Sequence, residues 1–215
     1  MLTISTMRIE QLKTTPDRAG RYAVLFEDGS VMRLYRQTVE DFALYSGMEL
    51  TQQQYRLLCR QAQQMSARMR AVRIVSATGV SKKSLESRLI QKGESPQDAR
   101  QAAEWLEELH LLDDEKTAEQ VVHTCISKGY GLARARQVLY EKRIPKEYWD
   151  AALENYPDQT ERICDFLKSK LSNSSDAREI KRAVDALLRR GHSYHVIREA
   201  LNELSFDSDD VPEDE

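Results

Sequence analysis

From residue 52 onward the apolar positions recur at intervals of three and four, the spacing of one face of a 3.6-residue helix. Three leucines, Leu89, Leu139 and Leu187, stand 50 and 48 residues apart, and their surroundings match. Leu85, Ala135 and Ala183 lie four positions earlier, and the cations Lys92, Lys142 and Arg190 three positions later. Ala99, Trp149 and Ile197 follow at ten, Ala103, Leu153 and Leu201 at fourteen, and Leu106, Tyr156 and Leu204 at seventeen. Each unit therefore predicts one helix closing near the cation and a second carrying the later stripe. A third helix precedes each pair, over roughly 52–76, 114–127 and 159–171.

Local signals agree with these limits. Lys92-Gly93 and Arg190-Gly191 pair a C-terminal cation with the glycine that stops a helix. Ser95-Pro96 and Ser193 restart the chain with N-cap chemistry, Pro145 holds the equivalent place in the middle unit, and Thr51 with Gln54 forms a capping box. A lone unit of this size has too little core to stand alone, so stacking of neighbours into an elongated, curved helical array is expected. The expected division is 51–112, 113–156 and 157–206 for three helical repeats, after an extension over 1–50 and before a disordered acidic tail over 207–215.

The first fifty residues follow another period. Tyr22–Phe26 and Val31–Tyr35 are strand-like runs around Glu27-Asp28-Gly29-Ser30. Asp-Gly there predicts a two-residue type I′ hairpin, in which both turn residues take positive φ. Met7–Lys13 is a candidate third strand, and strands are expected only before about Thr38. The fold class is mainly α: tandem three-helix repeats with a small N-terminal β-hairpin extension.

Composition supports this. The 215 residues include only 8 Gly and 5 Pro, too few turn formers for a β-sandwich or barrel. No apolar run approaches the ~20 residues of a membrane span, and the N-terminus lacks a basic-then-apolar leader pattern, so a cytoplasmic location away from membranes is expected. Cys59, Cys125 and Cys164 are isolated and odd in number, which reads as reduced structural thiols.

Charge changes the picture more. The net charge of −3 hides basic blocks over 60–92, 128–146 and 178–198, an acidic block over 94–120, and six acids in the last nine residues. Without those nine residues the body is at +3. Blocks this regular suggest a basic side repeated from unit to unit, although ordinary solvated helix faces would also carry charge.

Candidate chemistry is thin. Thr78–Lys83 lacks the spacing of a phosphate loop, and Ser81 reads as an N-cap. His192 and His195 have no third ligand at helical spacing. Asp113-Asp114-Glu115 reads as a helix start. Tyr130, in the tight turn Gly129-Tyr130-Gly131, is read as an exposed aromatic that either stacks on a partner or covers the turn. No nucleophile, base and oxyanion site come together, so no enzyme activity, cofactor or metal is expected.

Leu111-Leu112-Asp113-Asp114-Glu115-Lys116-Thr117-Ala118, then Lys128-Gly129-Tyr130-Gly131 and Arg136-x-x-Leu139-x-x-Lys142, closely resemble the signature of RecX regulatory proteins. Leu187–Tyr194 leading into Val196–Leu201 does the same, and the resemblance runs from about Ser81 to Leu204. The hairpin with Ser46–Leu50 is similar to an N-terminal extension that some members carry. The chain departs from the family pattern at Thr117, where an aromatic is usual, and at Cys125, often an arginine. The resemblance implies a cytoplasmic modulator of the RecA recombinase, and a monomer is expected. Such a protein lies in the groove of the RecA–single-stranded-DNA filament, meets the DNA through the filament or directly, and restrains ATPase, strand exchange and coprotease activity. A helical array with a basic side is compatible with that polyanionic groove. Lys82, Lys83, Lys92, Arg134, Arg136, Lys142, Arg182 and Arg190 are the candidates for its basic face, with acidic helices over 104–119 turned to protein. A DNA-binding helical module that acts without RecA, and a purely protein-binding repeat scaffold, are the rival readings.

Overall fold

The computed structural model describes residues 6–171 and 176–204. The chain divides into two compact units, Met1–Leu112 and Asp113–Glu215. The expected acidic tail lies outside the described residues.

The first unit opens with strands β1 (Thr6–Leu12), β2 (Arg21–Phe26) and β3 (Val31–Tyr35), helix α1 (Arg36–Asp41) and strand β4 (Glu49–Thr51). They form one antiparallel sheet in the order β3-β2-β1-β4. The expected hairpin is therefore the outer half of a four-stranded sheet, and strands do not end before Thr38. Three residues are too short to show a period, and β4 exists because Thr6, Met7 and Arg8 pair with Thr51, Leu50 and Glu49.

The turn also differs from the type I′ expectation. Gly29 N–H donates to the Phe26 carbonyl at 2.9 Å, and Phe26 N–H donates to the Ser30 carbonyl at 2.9 Å. Gly29 takes φ +80, while Asp28 stays out of the positive region. This is a type I turn closed by a glycine bulge. It spares Asp28 a left-handed backbone and lets its carboxylate accept from Ser30 N–H at 2.9 Å.

Helix α2 (Gln52–Ala77) starts at the Thr51–Gln54 capping box, where both reciprocal bonds are present. Its first half packs Tyr55, Leu58 and Ala62 onto Ile9, Val24, Phe26, Leu34 and Leu50 of the sheet. Its second half packs Ala67 and Ala71 against Leu85, Leu89, Ala99, Ala103 and Leu106 of α3 (Lys82–Gln91) and α4 (Pro96–Glu108). Ser81 caps α3 and Ser95 caps α4 ahead of Pro96. Alanines on α2 and α4 let the two helices approach closely around the two leucines.

The second unit carries α5 (Asp114–Ser127), α6 (Leu132–Glu141) and α7 (Trp149–Leu153), then α8 (Thr160–Leu171), α9 (Ala177–Arg189) and α10 (Tyr194–Glu203). One core joins Ala118, Val122, Cys125, Ala135, Leu139, Ile144 and Leu153. Another joins Ile163, Leu167, Ile180, Leu187, Ile197 and Leu201. The third helix of the middle triplet is shorter than its counterparts. After Pro145 the chain makes a 3-10 turn over Lys146–Tyr148 before α7, and no side chain caps that start. Proline lacks the serine oxygen that opens α4 and α10.

Candidate functional site

The cations that recur in the sequence occupy one structural position: Lys92, Lys142 and Arg190 are the C-cap residues of α3, α6 and α9. All three are exposed. A positive charge is favoured there by the partial negative charge of the last carbonyls, at about 0.3–1 kcal/mol each. In the third triplet Arg190 also stacks, with its guanidinium carbon 4.9 Å from the centre of the Phe166 ring. The Lys92 carbonyl accepts from Arg70, whose Nε lies 3.2 Å from Glu94.

The other candidates divide by what holds them. Lys82 Nζ reaches Glu107 of α4 at 2.5 Å, and that bond raises its pKa. Arg134 pairs with Glu141 along α6 at 3.1 Å. Both are only partly exposed, and their charge is met inside their own triplet. Lys83, Arg136 and Arg182 are exposed. Arg182 borders a shallow cavity of about 290 Å³ with Phe166, Lys170 and Glu179.

Tyr130 is not the exposed aromatic that its turn suggested. Its ring is half-buried against the α5–α7 core, and its carbonyl accepts from Tyr156 Oη at 2.6 Å. Burial pushes the Tyr156 phenol up to about 12, so it remains a donor at neutral pH. The aromatic anchoring this turn is thus Tyr156, from the chain between α7 and α8. Arg162 of α8, also missed, donates to the Ile126 carbonyl near the end of α5. Both contacts tie the α5–α7 triplet to the segment that follows it, and no spacing rule reports bonds across 26 and 36 residues.

His192 and His195 do not converge. His195 Nδ1 pairs with Glu199 at 3.3 Å on the surface. His192 is 8% exposed, and its Nε2 lies 3.1 Å from the Gly129 carbonyl. Burial lowers its pKa, opposed by that bond and reinforced by Arg190, so the neutral ring donates. Among the described residues no group of three or more His, Cys, Asp or Glu could hold a metal. The three cysteines are unpaired, and burial raises the thiols of Cys125 and Cys164.

These turns border a cleft of about 550 Å³. Gly131, Leu132, Ala133 and Arg136 line it from α6, Tyr156–Gln159 from the link, and Gly191–Ser193 with Val196 from the start of α10.

The fold and these residues define a class: a protein of consecutive three-helix units, each ending its middle helix on an exposed cation. Residues 113–153 match the family model described as RecX, second three-helix domain. The chain is 24% identical over 211 residues to regulatory protein RecX of Clostridioides difficile, covering 95% of this chain and 98% of that one. It is 30% identical over 139 residues to regulatory protein RecX of Chlorobaculum tepidum, covering 63% of this chain and 86% of that one. A crystal structure of regulatory protein RecX superposes with a TM-score of 0.64 at 20% identity, over 90% of this chain and 99% of that chain. The chain belongs to the RecX family of regulatory proteins. No helix among the described residues is long and apolar enough to cross a membrane.

Proposed function

We propose that this protein binds the RecA–single-stranded-DNA filament in the cytoplasm and restrains its ATPase, strand-exchange and coprotease activities. Family membership supports a regulatory role. The observation that carries the nucleic-acid part is the exposed cation at the same cap position of α3, α6 and α9. A cation that recurs at one cap position in each triplet suits a polyanionic partner. Lys83, Arg136 and Arg182 extend that basic side, while Lys82 and Arg134 serve mainly to brace it. Acidic residues of α4 are held close to home, Glu104 with Arg100 at 3.0 Å and Glu107 with Lys82. On this reading the chain acts by occupying the filament as a monomer, and it carries out no chemical step of its own.

The test is RecA ATPase activity on single-stranded DNA with this protein titrated in. The expected result is a saturable fall in rate. An unchanged rate at excess protein, with the filament intact, would overturn the proposal. Capture of RecA from a nuclease-treated mixture separates filament binding from a module that needs only DNA.

A further inference from the structure

Two independent features of the α8–α9 pair meet at Phe166. The first is the Arg190 guanidinium, whose carbon lies 4.9 Å from the centre of the Phe166 ring. The second is the cavity of about 290 Å³ that the half-buried Phe166 lines with Lys170, Glu179, Arg182, Ala183 and Ala186. Small residues keep this cavity open. A longer apolar side chain at position 186 would fill it, as close-packed helix pairs ordinarily do.

The surround is basic. Lys170, Arg182 and Arg190 are all exposed. Neither Lys170 nor Arg182 forms an ion pair or a side-chain hydrogen bond among the described residues. Glu179 is the acid on the lining. Arg182 and Arg190 lie eight residues apart on α9, about 12 Å along its axis. A guanidinium held over a ring is already oriented, so an anion meets it at a smaller cost in side-chain freedom than at a loose lysine.

Cations placed around an aromatic wall select a ligand that is anionic at its ends and flat and apolar between them. We propose that this groove takes one nucleotide of a single nucleic-acid strand. The base enters the cavity against Phe166 and the two alanines. The phosphates on either side of it meet Arg190 at one end and Lys170 with Arg182 at the other. The inference rests on the nucleic-acid reading of the basic side, and adds that the third triplet holds an unpaired base. The volume stands at the small end of the range of ligand sites, ~300–1,000 Å³, which suits one base rather than a base pair. An acidic peptide is the poorer fit, because aliphatic carboxylates satisfy the cations and leave the ring without a stacking partner.

The test uses the full chain and two labelled strands of equal length, oligodeoxythymidylate and the same backbone without bases, followed by fluorescence anisotropy. The wild type is expected to bind the base-bearing strand roughly tenfold more tightly, in line with one stacked base. Ala186→Met is expected to fill the cavity and bring the base-bearing strand to the affinity of the abasic one. Phe166→Leu, which keeps an apolar side chain on the core, should do the same and decides alone if Ala186→Met fails to fold. Lys170→Gln with Arg182→Gln should flatten the log–log salt slope by roughly 1.4, two contacts at 0.7 each. Equal affinity of the wild type for both strands, or a preference that survives both cavity variants, overturns the base site. An unchanged slope in the double variant overturns the phosphate placement. Salt-dependent binding of both strands without preference would leave the basic side standing, whereas binding of neither strand at low salt overturns both readings. Tight binding of a peptide spanning residues 205–215 that Ala186→Met abolishes, without any effect of bases, assigns the groove to that acidic segment instead.

Discussion

Gly131 N–H donates to the carbonyl of Arg190 at 2.8 Å, joining the turn before α6 to the turn before α10. The two turns touch backbone to backbone. A Cβ on Gly131 would lie 2.0 Å from the Gly191 oxygen, and one on Gly191 would lie 2.3 Å from Arg134 N. Neither neighbour is the movable end of a side chain. Gly131→Ala should therefore destabilise the second unit by about 1–3 kcal/mol, the usual cost of overpacking. The expected signature is a lower urea midpoint with faster hydrogen exchange at the amides of residues 131 and 192. Unaltered exchange there would mean that the turns separate at no cost.

His192 closes the same crossing, and its lowered pKa sets a pH dependence. Above the ordinary value near 6.5 both folded and unfolded rings are neutral, and the contribution is fully present. As pH falls through that value the unfolded chain takes up the proton first, and stability declines until the folded ring protonates as well. Urea unfolding at pH 7.5 and 5.5 should show this loss, and His192→Asn should remove that share of it. An identical pH dependence in the variant would assign the effect to other groups.

Reversing Lys92, Lys142 and Arg190 to Glu tests whether the cap position meets phosphate. Three lost contacts at roughly 0.7 each should flatten the log–log salt slope on single strands by about two units. If the cations serve only the helix ends, the triple variant loses stability and keeps both slope and affinity. Arg190 will cost stability in either case through its contact with Phe166, so helicity is followed alongside binding. Removing residues 207–215 takes the net charge from −3 to +3 and should tighten binding at low salt only.

Lys82 and Lys83 are adjacent in sequence but differ in position. Lys82→Ala breaks the pair with Glu107, which is half exposed and so worth at most about 1 kcal/mol. It should lower the unfolding midpoint slightly with little change in DNA affinity. Lys83→Ala should do the reverse, and matching affinity losses in the two variants would contradict this division.

His110 follows α4 with φ 56, in the left-handed region that Gly93 and Gly191 occupy after α3 and α9. Replacing it with glycine relieves the Cβ penalty at some cost in unfolded-chain entropy. A gain of about 0.5–1 kcal/mol in thermal unfolding is expected. A loss would show that the imidazole contributes more than its backbone costs.

What was legible in the sequence is what acts within about four residues of chain. The helices of the three triplets, the Thr51, Ser81, Ser95 and Ser193 caps and the cation at each middle-helix end follow from periodicity and capping, because the partners are a turn apart. The recurrence of Leu89, Leu139 and Leu187 was visible for the same reason. Tertiary structure decided the rest. Strand β4 exists through pairing with β1 across more than forty residues. The Asp28-Gly29 turn took the form that the flanking register allowed. Which cations are engaged depended on Glu107 lying opposite Lys82 and Phe166 beneath Arg190, both outside the reach of any helix-face rule. The cleft arose where two glycine turns, sixty residues apart, meet without side chains between them. Local rules place an element because its hydrogen bonds close within it. They are silent on a site whose partners are joined only by packing.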